Sequence, residues 1–302
     1  MKTISSLPRL IAPVTLVVSA LSLCPALSAQ QPPSTVFRPA LLELSAGNYS
    51  YSTKADLRHD GVVGGVAIHH AEVSLSGRHE LQTGLQLAYG LGYDTNFLQA
   101  DATVPLPDNL TVFSVNLGVI RTINPSWTAA MFARPGFYSD FERLGSRSLN
   151  MPVLLTANCL AARDLKWTFA LSYDRFSRYP LLPVIGVGWA FAPAWNLELG
   201  FPHTGVTWQA NDRLALRLDA GFQGGSYRVT RAPAILPALA GTLLDYREIR
   251  AGAGLDFKLA DATTIALDAG VVAARRFDYH VGHYRLDGNA ASYVKISFRA
   301  SL

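Results

Sequence analysis

An all-β fold, closed as a transmembrane antiparallel up-and-down barrel of about 12–14 strands behind an N-terminal signal peptide, is predicted by three observations. The chain is greasy, with 49% apolar and only 16% charged residues, against about 25% charged in an ordinary soluble domain. Beyond its first thirty residues it holds no apolar run approaching the roughly 20 residues of a transmembrane helix. Its apolar residues instead alternate with polar ones at period two, the spacing of strands with one oily face.

The alternation is plainest at the C-terminus. Val294, Ile296, Phe298, Ala300 and Leu302 fall on one face of an extended strand; Lys295, Ser297, Arg299 and Ser301 fall on the other. Leu81, Thr83, Leu85, Leu87, Tyr89, Leu91 and Tyr93 oppose Gln82, Gly84, Gln86 and Ala88. Leu165, Trp167, Phe169, Leu171 and Tyr173 oppose Lys166, Thr168 and Ser172. Leu214, Leu216, Leu218 and Phe222 oppose Arg217 and Asp219, and Ile249, Leu255 and Phe257 oppose Glu248, Arg250, Asp256 and Lys258. Ile265, Leu267, Ala269, Val271 and Ala273 oppose Thr264, Asp268 and Arg276. Soluble strands average about 5–6 residues, whereas a tilted bilayer span needs about 9–11, which these runs supply.

Connections alternate in length. Tight turns are expected near 76–78, 124–126, 163–164, 192–194, 211–212 and 261–262, with longer links at 57–63, 97–109, 139–149, 176–182, 230–243 and 277–289. Outer-membrane barrels show this contrast between short periplasmic turns and long outer loops. The reading gives about 14 strands, or about 12 if the hairpin between Trp195 and Gln209, broken by Pro202 and Gly205, is set aside. Aromatic residues such as Tyr93, Trp127, Phe137, Trp167, Trp195, Trp208 and Tyr293 gather near strand ends, as interfacial girdles do.

Residues 1–29 read as a signal peptide: Lys2 and Arg9, an apolar run from Leu10 to Leu23, then the small residues of Ala26-Leu27-Ser28-Ala29. Residues 30–40 read as a flexible leader, and 41–302 as the barrel. The expected location is therefore the bacterial outer membrane, reached through the periplasm. Losing Lys2 and Arg9 lowers the formal net charge from +4 to +2, and no basic block suggests nucleic acid. With Cys24 in the signal, Cys159 is expected to be the only thiol of the mature chain, on a strand, which excludes a disulfide scaffold or a cysteine zinc cluster.

Four stretches, Leu182-Pro183-Val184-Ile185-Gly186-Val187, Leu197-Glu198-Leu199-Gly200-Phe201-Pro202, Gly224-Gly225-Ser226-Tyr227-Arg228 and Asp245-Tyr246-Arg247-Glu248-Ile249-Arg250, resemble an uncharacterised family of bacterial outer-membrane barrel proteins. The resemblance implies a location and a fold, and no activity. The last strand also resembles the signal read by the barrel assembly machinery, closing on Leu302 with Phe298 upstream where that pattern usually ends in Phe or Trp.

Apolar residues facing lipid send the opposite parity inward. Glu198, Arg217, Asp219, Glu248, Arg250, Asp256, Lys258, Asp268, Lys295 and Arg299 are thus expected to line the lumen, either as ion-pair ladders bracing the wall or as a constriction sorting solutes by charge. The functional expectation is a passive pore for small solutes, with a closed structural or surface-interaction barrel as its rival. A rim hydrolase is a third reading, but there is no Gly-x-Ser-x-Gly elbow, and His69 and His70 fall on opposite strand faces. No catalytic residue, metal site or cofactor is expected; His280 and His283 read as loop residues. The expected partners are outer-membrane lipid, lipopolysaccharide, the assembly machinery and a small solute.

Overall fold

The computed structural model describes residues 43–231 and 235–301. The signal peptide and leader, and with them Cys24, lie outside the described residues. Seventeen strand segments form one antiparallel sheet that closes on itself as 14 staves. They are β1 (Glu43–Arg58), β2 (Val62–Gln82), β3 (Leu85–Ala100), β4 (Asn109–Asn124), β5 (Trp127–Ala133, continued by Gly136–Ser139), β6 (Leu149–Asn150, continued by Val153–Ala162) and β7 (Leu165–Tyr173). The second half comprises β8 (Leu181–Ala192), β9 (Trp195–Leu199), β10 (His203–Asn211), β11 (Leu214–Arg228), β12 (Leu243–Ala260), β13 (Thr263–Tyr279) and β14 (Tyr284–Gly288, continued by Ala291–Ser301). Each stave pairs with its neighbours in sequence, and β14 pairs with β1 to close the ring.

The outward face is the apolar one. Tyr89, Leu91, Tyr93, Leu216, Leu218, Phe222, Leu255, Phe257, Leu267, Val294 and Ile296 are all exposed. In water such a belt would be an extended aggregation surface; in a bilayer it is the solvent-matched face of a closed barrel. Among the described residues no helix is long and apolar enough to cross a membrane. At the end that carries the short turns, Trp195 and Trp208 stack with ring centroids 6.0 Å apart, one arc of an interfacial girdle.

Five of the six expected tight turns are where the sequence puts them. The first is not: β2 runs through 76–78 and turns at 83–84, where Gly84 takes φ +73. The two strands there share one alternation, and only the glycine marks the break. The last long link is also shorter than expected, because Tyr284–Gly288 pairs with both β13 and β1. Cys159 is on a strand, as expected.

Above the membrane belt, at the end that carries the long links, the barrel is filled. Leu57, Ile68, Leu98, Leu110, Tyr138, Tyr227, Leu244, Tyr246, Phe277 and Tyr279 turn inward and pack with Val104 and Leu106 of the β3–β4 link, Phe176 of the β7–β8 link and Leu239 of the β11–β12 link. Tyr279 donates its hydroxyl hydrogen bond to the Pro105 carbonyl across the mouth, at 2.8 Å. The β3–β4 link is pinned at Asp101, where Lys54 Nζ (2.6 Å) and the Gly65 amide (2.8 Å) hold the carboxyl below the usual carboxylate range. The tip of β11 bends in to meet β5, pairing Arg228 with Ser139. The bend starts at Gly224, with φ +141 and the Tyr246 carbonyl lying where a Cβ would go. Gly224→Val is therefore expected to destabilise the barrel by more than the ~1 kcal/mol typical of an ordinary glycine replacement, read as a lower urea midpoint for loss of the heat-modifiable gel band.

Candidate functional site

The lumen has two storeys. The lower is a polar lattice centred on Arg217 of β11. Its Nη2 is 2.7 Å from Asp268 Oδ1 and 3.0 Å from Asp256 Oδ1, and its Nη1 is 3.2 Å from Asp219 Oδ2. Lys295 lies directly across from Asp268 in register. Glu198 stands at the half-open edge of this lattice, 3.7 Å from His203 Nδ1, and the other ring nitrogen of His203 is 3.9 Å from Asp219. Lys258 is at the rim with Asp261 (3.1 Å), and Arg299 is exposed there too.

The upper storey is a buried triad under the apolar plug. Both oxygens of Glu248 are taken, Oε2 by Arg250 Nη2 and Oε1 by Arg275 Nε, each at 2.6 Å. Arg275 also donates to Ser52 Oγ (2.6 Å) and the Val66 carbonyl (2.8 Å), and Arg250 to Ser50 Oγ (3.2 Å) while lying over the Tyr293 ring. Arg275 is the member that the sequence reading misses. A bulge shifts the β12–β13 register between Ile249 and Arg250, so Arg275 turns inward while Arg276 faces out toward Asp287. The signal was present as the run Val271-Val272-Ala273-Ala274, which erases the alternation at the bulge.

Every predicted lumen residue except Glu198, Lys258 and Arg299 is thus gathered into one of two neutralising networks or set against one. Acids and bases are interleaved, so the geometry is that of a braced wall. On the opposite wall His70 Nε2 is 3.2 Å from Asp94, and Asn96 donates to the Tyr227 hydroxyl at 3.3 Å. His69 faces out, bonded to Tyr49. Ser74 shares the face of His70 but is four residues along the strand, roughly 13 Å away, too far for a nucleophile and its base. His280 and His283 border an outer cavity with Arg58, Arg285 and Asp287, and among the described residues no group of three metal-ligating side chains converges.

Beside the lumen the wall itself is incomplete. β9 has five residues and β10 nine, where β8 has 12 and β11 has 15. The register between β8 and β9 starts at Val187, leaving 181–186 partnered only by β7. The register between β10 and β11 stops at Gly221, leaving 223–227 partnered only by β12. Into this notch opens a cavity of about 440 Å³. Inward-facing Ser172, Leu182, Gln223 and Tyr246 line it, and so do outward-facing Phe222, Ser226 and Arg247. The lining thus draws on residues of both faces at the notch. Ser172 also borders a second cavity of about 480 Å³, with Glu72, Asn116 and Arg134 from the lumen side and Leu117 and Val153 from the outer face. The β7–β8 link straps the notch from above, with the Arg178 amide on Asp245 (2.9 Å), its guanidinium on Asp278 (2.5 Å) and Tyr179 facing Arg247.

A family model described as a domain of unknown function, DUF6268, matches residues 79–286. None of the curated proteins matches the chain. Among solved structures, the toluene transporter TodX of P. putida is similar in fold, with a TM-score of 0.53 at 8% identity over 88% of this chain and 91% of that one. The COG4313 outer membrane channel of Pseudomonas putida F1 aligns over 89% of this chain and 99% of its own, with a TM-score of 0.47 and 9% identity.

Proposed function

We propose that this chain, which belongs to the DUF6268 family of domains of unknown function, is a passive outer-membrane channel for small uncharged apolar solutes. One observation carries the reading: the long-link end of the lumen is filled by a buried apolar cluster, which offers ions no polar path. A charge-selecting pore would keep its acids and bases free to meet solutes. Here most of them neutralise one another, and the bracing role of the expected ladders is favoured over the constriction. TodX, a toluene transporter with the same overall fold, supports the solute class. In this reading the short-turn end faces the periplasm, the filled end meets the lipopolysaccharide layer, and the C-terminal strand is what the assembly machinery reads.

The test uses the refolded mature chain in vesicles whose outer leaflet is lipopolysaccharide, a poor solvent for apolar molecules. Naphthalene is expected to enter faster than in protein-free vesicles, while potassium chloride conductance in a planar bilayer stays at background. Discrete conductance steps without naphthalene uptake would instead identify a hydrophilic pore. Silence in both assays, with the heat-modifiable band intact, would leave a closed structural barrel.

A further inference from the structure

We infer that the notch between β8 and β11 is a side port, through which an apolar solute dissolved in the outer leaflet passes into the lumen and leaves at the short-turn end. The inference rests on the channel reading above and adds the route.

Three features of the wall lead to it. The first is height. Five residues of β9 rise about 17 Å along the strand, and less after tilting, against an apolar belt about 25 Å tall. With Trp195 and Trp208 fixing the base of the hairpin at the interface, its tip at Phe201-Pro202 lies inside the bilayer and the notch above it opens onto acyl chains. The second is the lining. Phe201 and Phe222 form the sill, with ring centroids 4.8 Å apart, and Leu182, Pro202 and the buried Tyr246 continue it inward. About 440 Å³ suits a ring-sized or short-chain apolar molecule, near the small end of ordinary ligand pockets. The third is connectivity. The long-link end is shut, but the port shares Ser172 with the second cavity, and below that the inward-facing Gln86, Lys166 and Arg299 are half or fully exposed. In the proposed route a molecule at Ser172 passes from one cavity to the other and on toward the short turns.

The strap sets the upper limit of the port. Its hold on β12 and β13 is made of the Arg178 contacts to Asp245 and Asp278, both nearly fully buried. Those bonds tie the link to the far side of the notch without filling the cavity beneath it.

The experiment seals the port and reads naphthalene uptake in the lipopolysaccharide-faced vesicles. Leu182→Trp fills the body of the cavity and Ser172→Trp its inner end, and the heat-modifiable gel band reports folding. Folded sealed variants are expected to fall to the rate of protein-free vesicles, while the wild-type chain transports. Sealed, folded variants that transport like wild type overturn the side port and leave the channel reading standing, whereas a wild-type chain that takes up nothing removes the channel reading itself. Should the tryptophan variants fail the gel control, a phenyl diazirine photolysed in wild-type proteoliposomes answers the same question. Adducts on inward-facing Ser172, Leu182 or Gln223 support the port, and adducts confined to the outward belt overturn it.

Discussion

Replacing Glu248 by alanine is expected to cost about 3–5 kcal/mol of barrel stability, the usual consequence of removing one member from a buried ionic group. Glu248 and Arg275 are fully buried and Arg250 nearly so, and together they link β12 and β13 to β1 and β2 across the line where the barrel closes. Without the carboxylate, two guanidiniums are left facing each other under an apolar ceiling. Unfolding in urea, followed by loss of the heat-modifiable gel band, measures the effect. Arg276→Ala is the control, since it breaks an exposed pair with Asp287 and should change stability by no more than about 1 kcal/mol. Equal effects at the two positions would show that the register shift in β13 is misplaced.

Phe277→Ala is expected to cost a similar amount, about 3–5 kcal/mol, because a fully buried ring is removed from a packed cluster that can only partly collapse. Its ring stacks on Tyr246, with centroids 5.0 Å apart and planes 18° from parallel. The conductance consequence separates two kinds of seal. An apolar void stays dry, so Phe277→Ala should remain electrically silent. Phe277→Asp places a carboxylate in the same space, which water must follow, and potassium leak should appear. Leak from the alanine variant would mean that the plug excludes ions by bulk rather than by dryness.

The membrane belt was legible in the sequence because lipid on one side and polar lumen on the other impose opposite chemistry on alternate residues. Leu216, Arg217, Leu218 and Asp219 show the result. The filled storey was not legible, for the same reason turned around. There an inward residue is apolar because it joins a core, as Leu244 and Phe277 do, and parity no longer tells inside from outside. The short hairpin of β9 and β10 was visible as a weakness at Pro202 and Gly205. That it leaves a hole depends on the lengths of β8 and β11, which only pairing reveals. Arg275 of the upper triad escaped through one inserted residue, and the notch lining through distance along the chain: Ser172, Leu182, Phe222 and Tyr246 come from four separate staves.

A sheet survives in oil because closure gives every peptide group a partner, and the short hairpin suspends that rule for a few residues of β8 and β11. Each peptide group on those two borders that turns toward the gap would cost several kcal/mol if bare hydrocarbon met it. Acyl chains alone therefore cannot line the gap: water from the lumen, the polar flank of the strap or a hydrogen-bonding solute must meet those borders. The break in the wall is a small standing inlet of polarity within the oily layer.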